Sequence, residues 1–234
     1  MTILKHSLNL SLLCTLLSAS PTATFVPPKG WRAQDPTAFN QAKISFISKK
    51  TQGFNPSINL AIEPTSLRLE EYTKNAIKCH KMDKRNRCER MGQLKTLSGE
   101  GVLLKIERTL EWGKVELMQL LQIANGHAYI LTASAKKSDF QNVRSEVTKS
   151  FRSLELVEDF LKSAGRKSYN LKMEIAKEKK KIRLPTIVSL PIIVPRLKNL
   201  QKFCEKELPE KGSYWHALFI KQIAQEIFNE KKNH

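Results

Sequence analysis

Between Ser57 and Glu63 apolar and polar positions alternate: Ile58, Leu60 and Ile62 share one face, Asn59, Ala61 and Glu63 the other. A period of two predicts a half-buried strand. Pro64-Thr65-Ser66 ends it, with Ser66 placed to cap a helix. The period then changes. Leu69, Tyr72, Thr73, Ala76 and Ile77 recur at three- and four-residue spacing, which predicts a helix to about His80. Glu70 and Glu71 stand near its positive N-terminal end, Lys78 and Lys81 near its negative C-terminal end. Upstream, Pro27-Pro28-Lys29-Gly30-Trp31 leads into a first short strand, Lys43–Ser48 reads as a second, and Gly53 to Pro56 is a turn.

Four further strand candidates follow in succession: Gln93 to Ser98, Gly101 to Thr109, Lys114 to Ile123 and His127 to Ser134. Gly99-Glu100-Gly101, Glu111-Trp112-Gly113 and Asn125-Gly126 separate them. Asn-Gly between two apolar runs is a strong hairpin signal, because both residues tolerate positive φ. This half is therefore an antiparallel meander, and His127 sits beside a hairpin tip. Ser138 to Gln141 offers a capping box, after which Phe140, Val143, Val147, Phe151 and Leu154 form a helical stripe. A sheet needs its apolar faces covered, and two amphipathic helices are available. The predicted class is α+β, an antiparallel sheet sandwiched by helices.

At this point the chain resembles the PsbP/DcrB-like group. The resemblance lies in Gly30–Pro36 (GWRAQDP), in KISFIS and SINLAIEP ahead of SLRLEEYTKNAI, and in the ending SDFQNVRSEVTKSFRSLEL, and it covers roughly Phe25 to Leu156. It implies an α/β/α sandwich on an antiparallel sheet and a small exported or lumenal accessory module without catalysis. It carries no cofactor, metal ligand or catalytic residue onto this sequence.

About eighty residues follow that the resemblance does not cover, and residues 157–234 are predicted as a helical extension. Leu156, Val157, Phe160, Leu161 and Ala164 continue a helical stripe to Gly165, and Tyr169, Met173 and Ala176 mark another short helix. Leu184 to Pro195 (LPTIVSLPIIVP) is too short to span a bilayer and too rich in proline for a continuous helix. It is predicted to pack in extended form. Leu197, Leu200, Cys204 and Leu208 mark one last helix, Pro209 to Ser213 a turn, and Trp215, Leu218, Phe219, Ile223 and Ile227 the other. Short connections make these a helical hairpin. Its apolar stripe is expected to pack back onto the sandwich, with a docking arm as the alternative.

The N-terminus changes the compartment. Lys5, the apolar Leu8–Leu17 and the small, uncharged Ser18–Ala23 form the three-part pattern of a secretory signal, residues 1–23, cleaved between Ala19 and Phe25. Export to a periplasm, envelope or exterior permits disulfides. With Cys14 removed, Cys79 and Cys88 are the natural pair around a short basic loop, leaving Cys204 over. Such a bond would constrain the unfolded chain by roughly 2–3 kcal/mol. The Cys79, His80 and Cys88 spacing fits no common zinc pattern, and no metal or cofactor is expected.

Charge adds a partner class. Lys+Arg 40 against Asp+Glu 22 gives +18, which favours anionic partners. One cluster is Lys78, Lys81, Lys84, Arg85, Arg87 and Arg90; the other is Lys177, Lys179, Lys180, Lys181 and Arg183. Neither has interleaved aromatics for base stacking, so no nucleic acid is expected. An anionic membrane surface or an envelope protein complex fits better, each near-surface cation being worth about 1 kcal/mol against anionic lipid. The signatures of serine hydrolases, zincins and nucleotide-binding loops are absent. The expected function is an exported, non-catalytic accessory or binding protein of the envelope. The alternatives are a secreted effector or chaperone-like protein acting through the extension, and a hydrolase.

Overall fold

The computed structural model describes residues 22–34, 42–49, 53–182 and 190–232. The signal reading therefore lies outside the described residues except at its last two positions. The first half contains β1 (Ala23–Thr24), β2 (Arg32–Gln34), β3 (Ala42–Ile47), β4 (Ser57–Pro64), α1 (Leu69–Met82) and β5 (Asn86–Thr96). It continues with β6 (Gly99–Leu110), β7 (Gly113–Ala124), β8 (His127–Lys136), α2 (Lys137–Arg152) and β9 (Glu155–Leu156). Seven strands form one antiparallel sheet in the order β2-β3-β4-β8-β7-β6-β5, and β1 pairs with β9 in a separate two-stranded ribbon. The fold is the α+β sandwich predicted from the pattern.

Alternation divides the sheet into two cores. On one face Val102, Leu104, Ile106, Leu121 and Cys88 meet Leu69, Tyr72, Ala76 and Ile77 of α1. On the other, Ile58, Leu60, Met118, Leu120, Leu131 and Ala133 meet Phe140, Val147 and Phe151 of α2, together with Phe25 and Phe46. Asn125 at φ 49 and Gly126 at φ 72 form the positive-φ turn that their dipeptide demands. Gly101 is required for another reason: a Cβ there would lie 2.7 Å from Leu120 Cδ1 and 2.7 Å from the Leu121 carbonyl oxygen.

Several local expectations change. Strand β5 begins at Asn86, not Gln93, because it is an edge strand in which only Cys88, Leu94 and Thr96 are buried. The first helix begins at Leu69 without Ser66 as its cap; Glu71 Oε2 accepts from Arg68 N at 3.3 Å instead. Ser138 does not cap α2, since its hydroxyl donates to Asp139 Oδ1 at 3.1 Å. The stripe expected to run helically from Leu156 to Gly165 is broken by β9, and Asp159 then caps α3 (Phe160–Ser163) by accepting from Leu161 N and Lys162 N.

The extension comprises α3, α4 (Ser168–Lys181), α5 (Leu190–Ile193), α6 (Lys198–Glu207) and α7 (Gly212–Lys232). The inward face of α4 is Leu171, Ile175 and Glu178, not Tyr169, Met173 and Ala176, which are exposed. Residues 184–189 of the apolar proline-rich segment lie outside the described residues; its last part is helical rather than extended, with Ile193 fully buried. Leu200, Cys204 and Leu208 face Trp215, Phe219, Ile223 and Ile227 in a core of the extension's own.

That core is joined to the sandwich. Tyr214 packs against Phe25 and Phe46 at ring distances of 5.8 and 6.0 Å, and Leu218 touches both cores. Lys211 Nζ donates to both Glu155 oxygens at 3.0 Å, Ser163 Oγ donates to Glu155 Oε1 at 2.8 Å, and Trp215 Nε1 donates to Ser163 Oγ at 3.0 Å. Core membership changes between Leu156 and Val157.

Candidate functional surfaces

The two predicted basic clusters behave differently once folded. Lys78 and Lys81 project from the exposed side of the last turns of α1, Lys84 from the turn that follows, and Arg87 from the second residue of β5. All four are exposed, and among the described residues no ion pair reaches them. The scaffold under them is fixed. Asp83 accepts from Arg85 Nε at 2.9 Å, Arg85 Nη2 at 2.8 Å and the Arg85 backbone N–H at 3.0 Å, with Arg108 at 3.6 Å. Hydrogen bonding to Arg85 holds the Asp83 carboxyl down at about 2. Asn86 Nδ2 donates to the His80 carbonyl at 3.2 Å, and the His80 ring bonds Gln119 Oε1 at 3.3 Å, which pins the end of α1 to the sheet. Arg90 is engaged by Glu70 in a two-bond pair at 2.7 Å. So Arg85 braces the corner, Arg90 ties β5 to the first turn of α1, and Lys78, Lys81, Lys84 and Arg87 form the uncompensated ridge.

The second cluster is largely neutralised. Lys177 pairs with Glu174 at 3.4 Å, Lys181 with Glu178 at 2.6 Å, and Lys179 with Glu226 at 3.4 Å and Glu230 at 2.7 Å. Burial works against the Lys179 ammonium, but the Glu230 and Glu226 carboxylates outweigh it and its pKa is raised. Lys180 is exposed, and Arg183 lies outside the described residues. Carboxylates one turn away, or on α7 across the helix pair, are invisible to a count of basic residues along the chain.

Cys79, Cys88 and Cys204 are free thiols; the expected Cys79–Cys88 bond is not formed. Cys79 is exposed on α1, whereas Cys88 is buried in β5 under that helix. The segment between them is not the open loop that pairing assumes but the end of a helix, a turn and the start of a strand. Burial raises the Cys88 pKa, and pushes that of Cys204 up to about 12. His127 turns its Nδ1 to the Asn125 carbonyl oxygen at 2.9 Å, and His216, inside the extension, meets the Leu208 carbonyl oxygen at 2.8 Å. Among the described residues no three His, Cys, Asp or Glu side chains converge on a metal-sized site, and no helix is long and apolar enough to cross a membrane.

Sequence reasoning missed a cavity of about 600 Å³ where Val26–Trp31, α2 and the start of α7 meet. Its walls come from three separate stretches of the chain, residues 26–31, 146–150 and 212–213, and the only local signal is the Pro27-Pro28-Lys29-Gly30-Trp31 segment.

No protein-family model matches the chain, and no curated protein does. Solved structures are similar in fold. LpqN of Mycobacterium tuberculosis, described as involved in cell envelope biogenesis, has a TM-score of 0.46 at 13% identity, covering 59% of this chain and 84% of that one. Cyanobacterial PsbP from Synechocystis has a TM-score of 0.43 at 10% identity, covering 61% and 96%. The Ran-binding protein Mog1p of Saccharomyces cerevisiae has a TM-score of 0.40 at 12% identity, covering 58% and 90%.

Proposed function

We propose that this chain is an exported, non-catalytic accessory protein of the cell envelope that docks on an anionic membrane surface through the ridge of Lys78, Lys81, Lys84 and Arg87. The observation that carries this reading is the contrast between the clusters: these four cations have no partner among the described residues, whereas most of the C-terminal cluster is paired within the molecule. Four near-surface cations supply roughly 4 kcal/mol against anionic lipid. The signal pattern of Lys5, Leu8–Leu17 and the small residues after it supports export, which would bring the ridge to an envelope.

The test is co-sedimentation of the mature protein with phosphatidylglycerol-containing and with phosphatidylcholine vesicles at rising salt. Binding to the anionic vesicles alone, weakened by salt and by Lys78→Gln, Lys81→Gln, Lys84→Gln and Arg87→Gln together, is the expected result. Binding absent from both vesicles, with an envelope protein captured through the same four residues, replaces the lipid by a protein partner.

A further inference from the structure

We propose that Trp112 and Met82, exposed at the end of the sheet that carries the basic ridge, insert into the interfacial layer of an anionic bilayer and so fix which end of the protein faces the membrane. The inference rests on the membrane reading above and adds to it an apolar anchor outside the four cations.

Topology brings the two residues to one end. Asn86 and Arg87 at the start of β5 pair with Arg108 and Glu107 near the end of β6. Thr109 N donates to the Arg85 carbonyl oxygen at 2.9 Å, and Arg108 Nη2 lies 3.6 Å from Asp83. The corner that holds Lys84 and Arg87 is therefore bonded to the last residues of β6. Beyond Arg108 the hairpin continues to the Leu110–Gly113 pair, and Trp112 sits in the turn between them. Two strand residues carry that turn about 7 Å past the corner. Met82 is the last residue of α1, between Lys81 and Asp83 of the same corner.

Both side chains meet water. Met82 is 75% exposed and Trp112 54%, although each is large and apolar. Trp112 does not dangle: its ring stacks on Phe54 at 5.4 Å with 30° between the planes, so the exposed ring has a fixed seat. An indole held at a turn loses little side-chain freedom on insertion, and its apolar body with one N–H suits the boundary between head groups and acyl chains. Interfacial side chains lie about 5–10 Å into that boundary. A turn standing about 7 Å ahead of the corner reaches it while the ridge stays among the head groups.

Charge complementarity selects the occupant. Glu111 and Lys114, on either side of Trp112, cancel, so the net charge beside the aromatic pair is that of Lys78, Lys81, Lys84 and Arg87. A second exposed apolar pair, Tyr169 and Met173, lies on α4, whose lysines at 177, 179 and 181 are held by carboxylates. Apolar exposure and uncompensated cations coincide at the Trp112 end, and that combination matches an anionic lipid surface.

The test uses the mature protein with Trp31→Phe, which leaves Trp112 and the fully buried Trp215 as emitters. Vesicles contain phosphatidylglycerol and phosphatidylcholine, with or without brominated acyl chains. On binding, emission should shift to the blue and be quenched by the bromines, and Trp112→Phe in the same background should abolish the quenching. In the parent chain Trp112→Gln should weaken binding about tenfold and Met82→Gln severalfold, whereas the control Tyr169→Gln should change nothing. Binding with no quenching, or equal losses from Trp112→Gln and Tyr169→Gln, overturns the insertion and leaves docking by charge standing. Absence of binding to any anionic vesicle overturns both.

Discussion

Asp83 is the residue that keeps the ridge in shape, and its chemistry sets a pH window. Its carboxyl is depressed to about 2, first by the Arg85 side-chain hydrogen bond and then by the Arg85 backbone N–H. A depressed carboxyl contributes stability that is complete above its unfolded value and disappears as pH falls through the folded one. The corner between α1 and β5 should therefore stay intact from neutral pH to about pH 4 and loosen between there and about 2. A carbon-detected NMR titration of the Asp83 carboxyl should show its midpoint near 2; a midpoint near 4 would contradict the clamp. The thiols give a second residue-scale expectation. In the native reduced protein a maleimide reagent should label Cys79 rapidly. Buried Cys88 and Cys204 should react only on unfolding, since burial keeps both protonated. Labelling of Cys204 at the rate of Cys79 would contradict its place in the core. Neither the clamp nor the burial contrast is legible in a sequence, because each depends on how the helix end and β5 meet.

At the scale of elements, what is legible is what repeats. Ile58, Leu60 and Ile62 mark β4, Asn125-Gly126 marks the β7–β8 turn, and Phe140, Val147 and Phe151 mark the buried side of α2. These signals are local and each has one physical solution. The start of β5 escaped because an edge strand buries little and so carries no alternation. The face of α4 was misassigned because Tyr169, Met173 and Ala176 repeat at helical spacing as well as Leu171 and Ile175 do; only the neighbouring α6 and α7 decide between the two stripes. The β6–β7 pairing makes a quantitative prediction. Gly101→Ala forces a methyl against Leu120 and the Leu121 carbonyl, which sit too close to receive it. It should lower stability by about 1–3 kcal/mol, read as a reduced urea midpoint with an unchanged slope. A midpoint equal to that of the parent would show that β7 has room to shift.

On the scale of the molecule, two cores share one seam. Tyr214 fills the seam between Phe25 and Phe46, and Glu155 receives Lys211 beside it. Removing the ring by Tyr214→Ala should cost about 3 kcal/mol and separate the melting of the two cores. A single unchanged transition would mean that the seam couples nothing. The seam also bears on processing. Ala23 is buried, β1 pairs with β9, and the Thr22 carbonyl oxygen accepts from Val157 N at 2.9 Å. A mature chain that keeps this ribbon begins at or before Thr22, which mass spectrometry of the natural protein tests; a start at Thr24 or Phe25 would contradict it. The central claim remains that unpaired cations, not basic residues in general, make the binding surface. Anionic-vesicle affinities of three folded proteins measure this directly: the parent, the Lys78, Lys81, Lys84 and Arg87 to Gln variant, and the Lys177, Lys179, Lys180 and Lys181 to Gln variant. The account predicts a loss on the order of a thousandfold for the ridge variant and a small change for the other; equal losses, or a larger loss from the C-terminal set, would contradict it.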